Sequence, residues 1–204
     1  FSVKSRKDGP LDLRMNQQFG IPASEWLQTV SESELGWVIQ STCHVLEAPL
    51  PQRIAEEVLQ HQRCNGAYKS TAEFKQVLDS ICAELKGEHP TLNLAHIVFC
   101  AIRIFLNQEM AQFEMAMDAA CERLEMSGRC AVICFNRWEA AAVRKLLRCH
   151  EEPTSATEAS LPASRLVELY PLMGTAKPYA IRRVCRPVRP TAEELARNQR
   201  SKSS

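Results

Sequence analysis

Residues 127–135 read SGRCAVICF, and the six from Cys130 to Phe135 are all apolar. A short, wholly apolar run behind a glycine turn suits a strand buried on both faces, as in a parallel sheet. On its N-terminal side, a long amphipathic helix is expected from about His96 to Met126. Its stripe is Phe99, Ile102, Leu106, Met110, Phe113, Met117, Ala120 and Leu124, in alternating steps of three and four, and is expected to be core, methionines included. On the C-terminal side, EAAAVRKLLR reads as another helix. Helix, turn, buried strand and helix together form one αβα segment of a doubly wound α/β sheet.

The rest of the chain supplies few further strands. Residues 1 to 23 are irregular, punctuated by Gly9-Pro10 and Gly20-Ile21-Pro22. Four short helices then follow. Ser24 is expected to cap EWLQTV, and Ser31 with Glu34 forms a capping box opening ESELGWVIQST. Pro51 suits the first turn of QRIAEEVLQHQ, and Thr71 precedes AEFKQVLDSICAEL, with Phe74, Val77, Leu78, Ile81 and Leu85 at helical spacing. Gly87 to Leu94 breaks the pattern, and residues 150–164 read as an exposed loop. A second strand is expected at YAIRRVCRPV (179–188), and Thr191 with Glu194 boxes a last short helix. Two strands do not make a doubly wound sheet, and the seven glycines never fall closer than eleven residues apart, so no glycine-rich nucleotide loop is present.

The net charge of +1 conceals an asymmetry. From Lys177 to Ser204 there are eight Lys/Arg and two Glu, a net of +6, which leaves the first 176 residues at −5. A basic tail on an acidic body is either a phosphate-binding element or a solvated tail. The nine cysteines lie singly, with no Cys-x-x-Cys pair. In a strand, Cys130 and Cys134 would hold their sulfurs roughly 13 Å apart, too far for one zinc. The cysteines are expected to be reduced and mostly buried, in a reducing compartment, with no metal site. The longest nearly uncharged apolar run, IVFCAI (97–102), is too short to span a bilayer, and no membrane partner is expected. No stretch resembles a signal or transit peptide. Because the first residue is Phe, the natural start and any targeting segment are expected upstream.

Four stretches, in order, resemble one family. FSVKSRKDGPLDLRMN is similar to GFSFMxDGPLDMRMD, and ASEWLQTVSESEL to AxEWLNTASEEEL. FCAIRIFLNQEM followed by SGRCAVICF is similar to FQALRIAVNDEL followed by GGRLAVISF, and RPVRPTAEELARNQRSKS to KPIxPSEEEIARNPRSRS. These strings belong to the RsmH (MraW) small-subunit ribosomal RNA cytosine-N4 methyltransferases, and the resemblance covers nearly all of the chain except 150–176. It implies an S-adenosylmethionine-dependent enzyme with a Rossmann-like class I methyltransferase fold and an inserted α-helical domain. It also implies that the family's cofactor-binding half precedes the DGPLDMRM string. The domain organisation it implies is a methyltransferase core segment at 1–22, an inserted helical RNA-recognition domain at 23–94, a return to the core at 95–190, and a basic tail at 191–204.

The exocyclic nitrogen of cytosine is a weak nucleophile, because its lone pair is delocalised into the ring. Methyl transfer to it needs acceptors for the amino hydrogens and alignment with the sulfonium methyl, more than a strong base. The resemblance makes Asp8 and Asp12 the candidate catalytic acceptors, and Asp8, Gly9 and Pro10 the candidate cofactor contacts. Arg14 is a candidate phosphate partner. The other reading of these residues is a turn at Asp8-Gly9-Pro10 and a structural ion pair between Asp12 and Arg14. Arg182, Arg183, Arg186, Arg189, Arg197, Arg200 and Lys202 are candidate RNA contacts in the tail. Trp26, Trp37 and Trp138 are the aromatic groups able to stack on a base. Core packing is expected for Trp26 and Trp37, while Trp138, beside Arg137, is placed at the RNA-binding mouth.

Two departures from the family stand out. SFHSLED is replaced by CFNRWEA, in which only Phe135 and Glu139 persist, and HPATxTFQALRI is replaced by NLAHIVFCAIRI, although Arg103, Asn107 and Glu109 remain. Scaffold residues match while polar residues at the strand's carboxyl end, where ligands bind in such sheets, do not. The pattern favours a non-catalytic assembly factor that binds small-subunit ribosomal RNA and ribosomal or assembly proteins. The alternative is an active N4-methyltransferase using S-adenosylmethionine. Cysteine content and divergence point to the mitochondrial matrix, with a bacterial-type cytoplasm as the alternative.

Overall fold

The computed structural model describes residues 8–42, 46–85, 93–150, 181, 184–199 and 201. They form eight helices in two compact units, residues 1–109 and 110–204. In the first unit, α1 (Ala23–Thr29), α2 (Glu32–Thr42), α3 (Leu50–Asn65), α4 (Thr71–Leu85) and α5 (Leu94–Leu106) pack as a helical bundle. α2 lies on α3 and α5, α4 on α3 and α5, and α1 on α5.

Local chemistry sets most helix starts. Glu34 N donates to Ser31 Oγ at 3.3 Å and Ser31 N donates to Glu34 Oε2 at 2.8 Å, the expected reciprocal box opening α2. Pro51 sits in the first turn of α3, and Gly66, at φ 91°, closes that helix. Asn93 Oδ1 accepts from His96 N at the start of α5. Helix α4 starts one residue earlier than expected, with Thr71 already inside it. Ser70 Oγ accepts Glu73 N while Glu73 Oε2 accepts Lys69 N.

Helix α1 departs from expectation. Ser24 lies inside the helix, Pro22 is the N-cap, and no side chain caps it. Its first N–H groups are satisfied from elsewhere: Ala23 N donates to Asp12 O at 2.8 Å and Ser24 N to Leu11 O at 2.9 Å.

The core of this unit is continuous. Leu11, Leu27, Leu35, Ile39, Ile54, Leu78 and Ile102 are buried. Tyr68, Phe74 and Phe99 pack edge-on in sequence, at 4.9 and 5.1 Å between centroids. The Tyr68 hydroxyl is buried but satisfied, donating to Val58 O at 2.8 Å. Gly36 lets α2 and α3 approach closely, since a Cβ there would lie 3.3 Å from Gln52 Cα.

The single helix expected from 96 to 126 is two. α5 ends at Leu106, Gln108 takes a left-handed φ of 50°, and α6 (Glu109–Arg123) starts afresh. Periodicity continues across the break and hides it, but the Asn107 side chain bonds back to Arg103 O and terminates the first helix. The apolar stripe is accordingly core only in α5. Beyond the break Met110 is exposed, Phe113, Met117, Ala120 and Leu124 are half-buried, and Cys121 is the buried residue of α6.

In the second unit, α6 is joined by α7 (Arg137–His150) and α8 (Ala192–Arg197). Thr191 Oγ1 accepts Glu194 N at the start of α8, as expected. The strand expected at 130–135 is not formed. Among the described residues this segment has no ladder partner, and Ile133 and Phe135 are 71% and 58% exposed. A strand exists only through its neighbours' N–H and C=O groups, and the described residues contain no second strand to supply them. Of the strand expected at 179–188, residues 179–180 and 182–183 lie outside the described residues, as do 151–164 of the expected loop and 87–92 of the expected break. The cysteines are less buried than expected: Cys64, Cys130 and Cys185 are exposed free thiols.

Candidate functional site

The DGPLDLRM string is a strap across two helix N-termini. Asp8 Oδ1 accepts from Gly9 N at 2.8 Å, Ala72 N at 2.9 Å and Thr71 Oγ1 at 3.1 Å, and so caps α4. The carboxyl is held below its ordinary range, first by the Ala72 amide and then by the Ser70 side chain. An isolated antiparallel bridge pairs Pro10 with Ser70, and Thr71 N donates to Gly9 O. Leu11 and Leu13 point into the core on either side of Asp12.

Asp12 and Arg14 form a two-pronged ion pair, Nε to Oδ1 at 2.6 Å and Nη2 to Oδ2 at 2.9 Å. The remaining arm, Nη1, donates to Gly20 O at 2.9 Å, so all three guanidinium nitrogens are engaged. The Arg14 hydrogen bonds hold Asp12 ionised, its carboxyl below the usual range.

Leu13 itself has a left-handed φ of 63°, which is rare for a branched residue. Asn107 holds it there. Its Nδ2 donates to Leu13 O at 2.9 Å and its Oδ1 accepts Met15 N at 2.6 Å. Arg103 and Glu109 brace the same corner with paired bonds of 2.7 and 3.0 Å.

The profile of the MraW methylase family matches residues 1–204, the whole chain. The chain belongs to the MraW methylase family. Among curated relatives, it is 30% identical over 207 residues to a Ribosomal RNA small subunit methyltransferase H of Shewanella loihica, covering 97% of this chain and 58% of that protein. The same-named protein of Cupriavidus metallidurans is 30% identical over 199 residues, with 98% and 58% covered. That of Stenotrophomonas maltophilia is 32% identical over 199 residues, with 97% and 56% covered. The chain thus spans somewhat more than half the length of these MraW-family relatives.

Membership implies a class I methyltransferase fold and S-adenosylmethionine as the family's cofactor. The residues around Asp8, Gly9 and Pro10 do not by themselves enclose such a molecule. A Cβ on Gly9 would meet no atom within 4 Å, and the Asp8 oxygen that faces the fold is spent on α4. Among the described residues, no cluster of three His, Cys, Asp or Glu could hold a metal ion.

The other predicted residues are dispersed. Trp138 is buried and packs edge-on against Phe113 at 5.7 Å, so neither ring face is offered to a base, while Arg137 beside it is exposed. Glu139, which persists from the MraW pattern, folds back on the start of α7. Its Oε2 accepts Phe135 N at 2.6 Å and Asn136 N at 3.0 Å, and its Oε1 accepts Asn136 Nδ2 at 3.1 Å. Arg186, Arg189 and Arg197 are exposed, and Arg182, Arg183, Arg200 and Lys202 lie outside the described residues.

Of the tryptophans expected in the core, Trp26 is 9% exposed and meets Phe105 at 5.2 Å, but Trp37 is 62% exposed. The signal was available: Leu35, Val38, Ile39 and Thr42 define the buried stripe of α2, and position 37 falls off it. Asn107 was missed as an organising residue because its partners lie more than ninety positions away.

Proposed function

We propose that the chain is a divergent MraW-family protein that works at the small ribosomal subunit of mitochondria as a non-catalytic assembly factor. The observation that carries this reading is the fate of the two aspartates in the string. Asp8 caps α4 and both oxygens of Asp12 are taken by Arg14, so each has a structural task sufficient to explain its presence. Glu139, which the family pattern retains, likewise caps a helix, while its neighbours at 136–138 and 140 depart from that pattern. Binding to ribosomal RNA is assigned to the basic tail, where Arg186, Arg189 and Arg197 are exposed, together with Arg137.

The alternative is an active S-adenosylmethionine-dependent N4-methylation of a cytosine in small-subunit ribosomal RNA. It is favoured by the intact bracing of the string by Arg103, Asn107 and Glu109, and by the name shared by the relatives. Calorimetry with S-adenosylmethionine on the protein at its natural full length separates the two. The scaffold reading expects no binding heat alongside retained affinity for small subunits; cofactor binding with methyl transfer to their RNA would replace it with the alternative.

A further inference from the structure

Trp37 lines a shallow pocket of about 120 Å³ together with Ser33 and Gln40 of α2 and Pro49, Pro51 and Gln52 at the start of α3. The walls are rigid: Gly36 lets the two helices meet closely behind the pocket, and the prolines fix its far edge. An exposed indole in such a setting suits three occupants: an unpaired base, a second copy of this chain, or a cationic side chain.

Charge decides among them. From residue 23 to 85 there are nine Asp/Glu and four Lys/Arg, a net of −5. α2 carries no Lys or Arg at all. The two arginines of α3 are already paired, Arg53 with Glu57 and Arg63 with Glu32. Glu47 directly precedes the pocket residue Ala48, and Glu56 lies one helical turn beyond Gln52. Both are exposed and have no cation partner among the described residues. A polyphosphate strand would be repelled here, whereas an arginine or lysine gains from both the carboxylates and the indole face, the strongest of the aromatic cation acceptors.

We infer that the Trp37 pocket is a docking site for a basic segment of a protein partner, taking an arginine or lysine side chain over the indole. This is separate from RNA binding by the tail and from catalysis.

The test uses the 204-residue chain and a fluorescently labelled peptide of alternating arginine and glycine. Anisotropy is expected to report saturable binding. Trp37→Ala is expected to weaken it about fivefold or more, Trp37→Phe less, and the Glu47→Gln, Glu56→Gln pair by a similar factor. Acrylamide quenching of tryptophan emission is expected to fall when the peptide binds, because Trp26 and Trp138 are already buried. Equal binding by Trp37→Ala, with an unchanged circular dichroism melt, would overturn the proposal. So would protection of Trp37 by oligocytidylate but not by the peptide, which would make the occupant a base. Self-association abolished by Trp37→Ala would instead make it a second copy.

Discussion

Asn107 and Leu13 are joined across 94 residues of sequence by a hydrogen bond of 2.9 Å from the Asn107 Nδ2 to the Leu13 carbonyl. The same amide receives Met15 N through its Oδ1 and so fixes both sides of a left-handed residue. It also takes Arg103 O, which ends α5. One side chain therefore both shapes the string and breaks what would have been a continuous helix.

Replacing Asn107 by Ala is expected to lower unfolding free energy by about 3 kcal/mol, through three lost side-chain hydrogen bonds in a partly buried site. Asn107→Asp is expected to be worse, because it puts an acceptor where Leu13 O and Arg103 O need a donor. Urea unfolding of both variants measures this. Equal stability of the Ala and Asp forms would mean that the donor role is wrongly assigned.

Gln108 is exposed at φ 50°. Gln108→Gly is expected to stabilise the chain by roughly 0.5 kcal/mol, because relief of the left-handed penalty outweighs the added freedom of the unfolded chain. Gln108→Val should destabilise it. A thermal melt in which Gly and Val shift the midpoint alike would contradict this geometry.

The carboxyls of Asp8, Asp12 and Glu34 are all held below their ordinary values of 3.8, 3.8 and 4.5. Below those values the unfolded chain takes up protons that the folded chain refuses, so stability is complete above them and declines as pH falls through the lower folded values. Asp12→Asn should flatten that decline and leave Arg14 with a weaker partner at neutral pH. Urea midpoints taken between neutral and strongly acidic pH would show the two curves converging in acid. Parallel curves would remove Asp12 from the set.

Removing the Tyr68 hydroxyl, as in Tyr68→Phe, is expected to cost about 1 kcal/mol, because Val58 O loses its buried donor. The aromatic chain through Phe74 and Phe99 should survive, so near-ultraviolet circular dichroism should keep its form. A collapse of that spectrum would show that the hydroxyl organises more than its own bond.

For the tail, replacing Arg182, Arg183 and Arg186 together is expected to weaken RNA binding and to reduce the slope of affinity against salt by roughly 2, near 0.7 for each single-strand phosphate no longer neutralised. An unchanged slope would remove these arginines from the interface.

Features written in adjacent residues were readable before the structure. The Ser31–Glu34 box and the Thr191 cap are bonds over three positions, so spacing alone reveals them. The Asp12–Arg14 pair was among the alternatives for the same reason. What escaped depended on distant partners. The break at Gln108 follows from Asn107 reaching Leu13, and periodicity carries no trace of that. The segment from Cys130 to Phe135 has the composition of a strand, but pairing needs neighbours that composition cannot provide. Trp37 was misplaced because residue type was weighed above register.

The start of α1 is written outside α1, in the carbonyls of Leu11 and Asp12. The domain boundary expected from the resemblance falls at 22/23, yet cutting there would strip α1 of the acceptors of its first two N–H groups and unseat the cap on α4 as well. The strap and the bundle are therefore heritable only together: a piece of this protein, or one shuffled by recombination, keeps the starts of α1 and α4 satisfied only if it includes Asp8 to Asp12.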